Sequence, residues 1–234
     1  MRWESIAQAL RDEIRHGQIL PGQRLASGSA LADRFDANRH TVRRALAELH
    51  AQGLIKVSQG SAAHVMEQAV ELALGRRPSH SLSLMQAGLP GQLHVLAAQR
   101  LRASTEVARH LNLPPRTSVW HLNVLGEGAG HPLHVGDRYF PARRFPDLPD
   151  LVRETGSISA ALAEHGVHDY QRIFSLVQAE MPQAATANAL RQAGSRPVLC
   201  VTSVNADKQQ VPIEFARTWF AGDRVRLSVQ AEPA

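Results

Sequence analysis

Residues 38–50 read NRHTVRRALAELH, and the layout of this stretch decides how the beginning of the chain is read. Wound at 3.6 residues per turn, Val42, Ala45, Leu46 and Leu49 share one stripe, which turns Arg39, His40, Arg43 and Arg44 away from it. Asn38 is placed to cap the helix. One face packs and the other presents cations.

Upstream, Trp3, Ile6, Ala7, Leu10 and Ile14 keep helical spacing until Gly17 and the Pro21-Gly22 pair, which stop the helix and turn the chain. Ser27 is placed to cap a short helix that carries Leu31, Ala32 and Phe35 inward, and DAN at 36–38 makes a tight connection into the basic helix. The pattern is a helix-turn-helix. Downstream, Gly53 closes the basic helix, and the apolar segments LIKV and AAHVM flank SQGS, which suits a small hairpin or wing. A solvated basic face on an ordinary three-helix domain would share the helix pattern alone. The turn, the cap and the hairpin together point to DNA, with Arg39, Thr41, Arg43 and Arg44 at the helix end that meets base edges and phosphates, His40 beside them and Lys56 set to touch phosphate.

Composition is compatible with this and sets limits. The 234 residues, 44% of them hydrophobic, suffice for two modest domains. The 26 basic residues against 21 acidic ones give a formal charge of +5, which permits an anionic partner. Only Lys56 and Lys208 are lysines, so planar guanidinium forks are plentiful. The single cysteine, Cys200, lies in the apolar run PVLCVTSV; it excludes a disulfide framework and is expected to pack in a strand. The N-terminal segment lacks a signal-peptide core and no long apolar run occurs, so a cytoplasmic protein without a membrane partner is expected.

Residues 1–66 thus read as one winged unit, 67–92 as a linker rich in glycine, proline and serine, and 93–234 as a second domain. In the second domain LHVLAAQRL looks like a strand, STEVARHLNL like a helix, SVWHLNVLGE and PLHVGDRYF like a hairpin, and SISAALAEHG like another helix. DYQRIFSLVQAEM, a helix around AATANALRQA and two or three strands from Pro197 to Val229 complete it. Helices inserted among hairpins indicate an α+β domain with a mostly antiparallel sheet.

The segment LADRFDANRHTVRRALAELHAQGLI resembles the winged helix-turn-helix of the GntR family of bacterial transcription regulators. The resemblance implies DNA contacts by Arg39, Thr41 and Arg43, with Gly60 at the wing tip. Two departures stand out: Leu25, Ala26, Ser27, Gly28 and Ser29 replace the usual Leu-Pro-Ser-Glu-Arg, and Gly60, Ser61, Ala62 and Ala63 replace Gly-x-Gly-Thr. HPLHVGDRYFPARRFPDL, GSISAALAEHGVHDYQR and the strands after Arg196 resemble the HutC branch of that family, whose ligand (UTRA) domain is chorismate-lyase-like, and within it the phosphonate-metabolism regulators of the PhnF type.

The resemblance implies a small anionic effector, a phosphonate or phosphate ester, whose oxygens would need cationic forks and oriented donors. The candidates are Arg138 and Tyr139, Ser157 and Ser159 at a helix start, Tyr170 and Arg172, and Glu214, Arg217 and Arg224. Arg138 and Arg172 are expected to hold the anionic head and Glu214 to orient a cationic or hydroxyl-bearing part. Val124 and Gly126 stand where many members of the branch carry basic residues. Neither the His131/His134 pair nor His165 with His168 and Asp169 has a zinc-finger spacing, so no metal is assigned, and no motif calls for a cofactor. The expected function is a repressor that binds a two-fold DNA operator as a homodimer and answers to the effector. A degenerate regulator with weak DNA binding and an enzyme on the chorismate-lyase-like fold are the alternatives, the latter without a visible nucleophile and base.

Overall fold

Apolar spacing and caps place three helices where the periodicity predicts them: α1 (Trp3–Arg15), α2 (Gly28–Arg34) and α3 (Arg39–Ala51). The computed structural model describes residues 2–15, 18–19, 22–52, 54–57, 63–65, 70–75, 91–128 and 130–229, and the chain divides into two units, Met1–Gln68 and Ala69–Ala234. In the first unit Ile6, Leu10, Leu31, Val42, Leu49 and Ile55 form a buried core. Ser27 Oγ accepts from Ala30 N at 3.2 Å, and Asn38 Oδ1 accepts from Thr41 N at 2.8 Å, so both predicted caps satisfy helix N–H groups. The turn between α2 and α3 takes Asp36 to φ 45°, a left-handed conformation that Asp tolerates better than most residues. An ion pair between Glu13 and Arg34 ties α1 to α2. The hairpin follows as β1 (Ile55–Val57) against β2 (Ala63–Val65), antiparallel. Gly53 and Gly60 lie outside the described residues.

The second unit contains β3 (Val70–Ala73), β4 (Gly91–Arg102), α4 (Thr105–His110), β5 (Ser118–Gly128), β6 (His131–Pro141), α5 (Leu148–Thr155) and α6 (Ile158–Glu164). It continues with β7 (Tyr170–Glu180), α7 (Ala184–Ala189), β8 (Val198–Asp207), β9 (Pro212–Ala221) and β10 (Val225–Ser228). Six strands make one antiparallel sheet in the order β4-β5-β6-β9-β8-β7. One face packs Leu122, Val124 and Phe140 under Leu148 and Val152 of α5 and Ala161 and Leu162 of α6. The opposite face packs Val119, Val204 and Phe215 against Val107 and Leu111 at α4, while Leu190 after α7 covers Leu125, Val135 and Val198. The domain is α+β with a mostly antiparallel sheet, as the pattern predicts.

Two elements depart from the sequence reading. The expected linker over 67–92 contains β3, which pairs in parallel with β10 and buries Leu72 beside Leu133 and Val225, and β4 already begins at Gly91. Helix α5 arises in FPDLPDLVRE, with Pro149 in its first turn and Gly156 closing it at φ 63°. No helix among the described residues is long and apolar enough to cross a membrane.

Asn38 fixes where the basic helix begins. Asn38→Ala is expected to lower the stability of the first unit by about 1 kcal/mol in urea unfolding, the usual worth of an N-cap; an unchanged midpoint would show that the cap contributes nothing.

Candidate effector site and DNA-reading face

On α3 the cations face outward because Val42, Ala45 and Leu49 face in: Arg39, His40, Arg43 and Arg44 are exposed. Arg44 folds its guanidinium over the Trp3 ring at 4.7 Å, which draws its charge toward α1. The Thr41 hydroxyl donates to Asn38 Oδ1 at 2.9 Å. Beside Arg39, His40 and Arg43 lies a hollow of about 460 Å³, bounded at the start of α2 by Gly28 and Ser29. A Cβ added at Gly28 would meet nothing within 4 Å, so the space is open where the family carries a longer side chain. Lys56 is exposed on β1, opposite His64.

In the second unit the register, more than sequence proximity, decides which candidates meet. Arg172 on β7 lies opposite Asn205 on β8, and Asn205 opposite Glu214 on β9. Arg138 on β6 lies opposite Ala216, two residues along β9 from Glu214, so all four side chains emerge on one face. Arg138 Nη1 donates to Glu214 Oε1 at 2.5 Å, and Asn205 Nδ2 donates to Glu214 Oε2 at 2.5 Å. Glu214 and Asn205 are 1% and 2% exposed. Among the described residues nothing accepts from Arg138 Nε or Arg172 Nε and nothing donates to Asn205 Oδ1, although all three atoms are buried. Burial lowers the Arg172 pKa, Glu214 opposes that shift, and the charge of Arg138 adds to it. Tyr170, at the start of β7, shares the cluster's field: burial first and Glu214 second raise its pKa, while its hydroxyl and Ser159 Oγ lie 2.8 Å apart. Five of the sequence candidates therefore meet: Arg138, Ser159, Tyr170, Arg172 and Glu214.

Four do not. Ser157 is the N-cap of α6, its Oγ accepting from Ala160 N at 3.2 Å, and that helix has only 7 residues. Tyr139 and Arg217 point to the other face, because each is an odd number of positions from Arg138 and Glu214 on its strand. There Tyr139 stacks on His121 at 4.8 Å and Arg217 pairs with Glu106 at 2.9 Å. Arg224 is buried and donates to Pro132 O at 2.5 Å and Leu190 O at 2.7 Å, tying the turn before β10 to β6 and to the end of α7. Asn205 was missing from the sequence candidates; its only signal was a polar residue inside the apolar run of β8.

The other reactive side chains are engaged elsewhere. Burial pushes the Cys200 thiol up to about 11, which suits a packed residue. His165 has Nδ1 2.9 Å from Ala161 O and Nε2 2.7 Å from Asp147. Burial pushes the Asp137 carboxyl up, but hydrogen bonds from His121 and Asn123 outweigh it and the net shift is downward.

The cluster makes opposite demands on stability. Glu214→Ala would strand the Arg138 guanidinium and the buried Asn205 amide and is expected to cost about 3 to 5 kcal/mol. Arg172→Gln removes a half-buried charge whose Nε has no acceptor among the described residues and is expected to be neutral or stabilising. Urea unfolding of the two variants, followed by circular dichroism, checks the pair of signs.

The geometry agrees with what the chain is similar to. Residues 3–65 match the bacterial regulatory proteins of the gntR family, and residues 86–226 match the UTRA domain. An HTH-type transcriptional regulator of Rhizobium meliloti (strain 1021) is 33% identical over 97% of this chain and 94% of its own length. The probable transcriptional regulator PhnF of Escherichia coli (strain K12) is 28% identical over 98% of this chain and 95% of its own. The crystal structure of PhnF from Mycobacterium smegmatis has the same fold, with a TM-score of 0.71 at 23% identity, covering 97% of this chain and 100% of that one. A helix-turn-helix head of the gntR type and a UTRA domain in one chain, with transcription regulators and not enzymes as relatives, make this protein a GntR-family transcriptional regulator of the HutC type.

Proposed function

We propose that the protein is a cytoplasmic repressor whose operator affinity is set by a small anion bound at the Arg138–Arg172–Glu214 cluster. The observation that carries this is Arg172, a half-buried residue whose Nε is buried with no acceptor among the described residues. A half-buried cation with a buried unpaired donor costs free energy unless an anion completes it. Phosphonates and phosphate esters are the head groups to which the resemblance to phosphonate-metabolism regulators points. The chain reads DNA through Arg39, His40, Thr41, Arg43 and Arg44, with Lys56 and the Gly60 wing tip on phosphate. The hollow beside Gly28 and Ser29 favours a head that reads its operator with fewer contacts than the family usually makes.

Exposed apolar residues support a homodimer held by the second unit. Strand β7 is an edge of the six-stranded sheet and exposes Ile173, Phe174, Leu176 and Val177, with Met181 exposed just past its end. An apolar strand edge of this kind is a template for pairing, and a second copy supplies a matching edge and the second head that a two-fold operator requires. Sedimentation without DNA is expected to give a dimer at micromolar concentration, and Leu176→Lys is expected to weaken it at least about tenfold by placing a charge on that edge. A wild-type monomer with full operator affinity would refute the assembly.

For DNA reading, Arg43→Ala is expected to cost about 1 to 3 kcal/mol on the specific operator only, through a lost base contact, whereas Lys56→Ala weakens all sequences alike. The head carries nine basic residues from Arg2 to Lys56 against six acidic ones, so its salt dependence is expected to be modest. A specific-to-nonspecific ratio that Arg43→Ala leaves unchanged across a salt titration would remove the base-reading role.

A further inference from the structure

The cluster carries more information than a preference for anions. Its charges are Arg138, Arg172 and Glu214, one more positive than negative. The neighbouring positions on the same face of β5 are Leu122 opposite Arg138, Val124 opposite Gly136 and Gly126 opposite His134, none of them charged. A side chain at Gly126 would collide with the buried His134 ring, which fills that place and packs 5.2 Å from Phe220. Arg144 pairs with Asp207 at 2.6 Å and Arg153 with Asp150 at 2.8 Å. No described residue on the neighbouring strand therefore matches a second negative charge.

The acceptors are equally specific. Asn205 Nδ2 is committed to Glu214, and the reverse amide orientation would set its oxygen against the carboxylate, so the network fixes Oδ1 as a buried acceptor that lacks a donor. Glu214 takes Arg138 on one oxygen and Asn205 on the other, which leaves lone pairs on each. The site thus offers unfilled cationic donors at Arg172 and Arg138 and, across the ladder, unfilled acceptors at Asn205 and Glu214.

We propose that the cluster takes a bipolar ligand of net charge −1, with an anionic head on Arg172 and Arg138 and an ammonium or hydroxyl arm on Asn205 Oδ1 and Glu214. The proposal rests on the effector reading of this cluster and narrows it. A ligand of that charge leaves the cluster neutral. A phosphate or phosphonate dianion without a donor arm leaves one negative charge buried and unmatched, and it leaves Asn205 Oδ1 unsatisfied as well. A carboxylate with hydroxyl groups and a phosphate or phosphonate with its own ammonium both meet the requirement, since the cluster reads net charge and the donor arm.

Isothermal titration calorimetry on the full chain at pH 8 tests this with phosphoethanolamine and n-propyl phosphate, which differ in an ammonium against a methyl group, and with glycerate as the carboxylate probe. Phosphoethanolamine is expected to bind at least about tenfold more tightly than propyl phosphate, the effect of one charge-assisted hydrogen bond. Measurable glycerate binding shows that a carboxylate head also serves; its absence with phosphoethanolamine bound overturns that part and restricts the head to phosphorus oxyanions. Equal or tighter binding of propyl phosphate overturns the bipolar ligand while leaving the effector reading in place. Failure of all three to bind overturns both. In Glu214→Gln the cluster gains one positive charge, so the preference is expected to narrow or reverse. A preference that the variant leaves unchanged would put the donor arm elsewhere. The wild-type comparison stands even if that variant does not fold.

Discussion

The two-residue period of the antiparallel sheet is the constraint on which the second unit depends. Both faces of the sheet carry helices, so the inner strands serve two cores, and a side chain's parity decides which one it joins. The same rule selects the polar cluster. Arg172, Asn205 and Glu214 stand in one row across three adjacent strands, and Arg138 joins them from β6. Tyr139 and Arg217 are next to cluster residues in sequence or nearly so, yet they serve the opposite face. No single strand holds the site; the ladder hydrogen bonds between strands do.

A buried row of charges would be a poor way to stabilise a sheet. Desolvation of Arg138, Arg172 and Glu214 is offset only in part by the Arg138–Glu214 pair and the Asn205 hydrogen bond, and an apolar row of similar volume would fold as well or better. A function other than stability is the physical reason to keep such a row. Arg224 is the contrast within the same domain: more deeply buried, but donating to backbone carbonyls that fix one turn. Burial alone therefore does not mark a binding residue. Burial with unmet hydrogen-bonding capacity marks a candidate.

Legibility of the sequence followed the range of the interactions. The first unit was readable because its signals are local: helical spacing, the caps Ser27 and Asn38, and a short turn lie within a few residues of what they determine. The strand and helix types of the second unit were readable for the same reason. Strand β3 was not, since four residues acquire their strand only by pairing with β10, more than 150 positions away. Asn205 carries little local signal, since its place in the cluster depends on partners from β7 and β9. Arg217 and Arg224 were grouped with the effector residues on charge and strand position, and only register and burial separate them. The hollow beside Arg39 and Arg43 was foreshadowed by Gly28 and Ser29, small residues where the family has long ones.

Strand β7 joins two features that chemistry would otherwise keep apart. It contributes Arg172 to the cluster through one face, and it exposes apolar residues along the sheet's edge. An edge strand has ladder hydrogen bonds on one side only, so its position is less constrained than that of β8 or β9. The β-bulge between Arg172 and Phe174 loosens the register at the point where the guanidinium is presented. An anion bridging Arg172 on β7 to Arg138 on β6 would span β8 and β9 and stabilise the edge strand in its paired position. Any contact that a second copy makes along β7 depends on that same position. Linkage then requires that ligand and partner each change the other's affinity if both favour one placement of the strand, which gives a regulator of this family a physical route from a small anion to an assembly without moving the core.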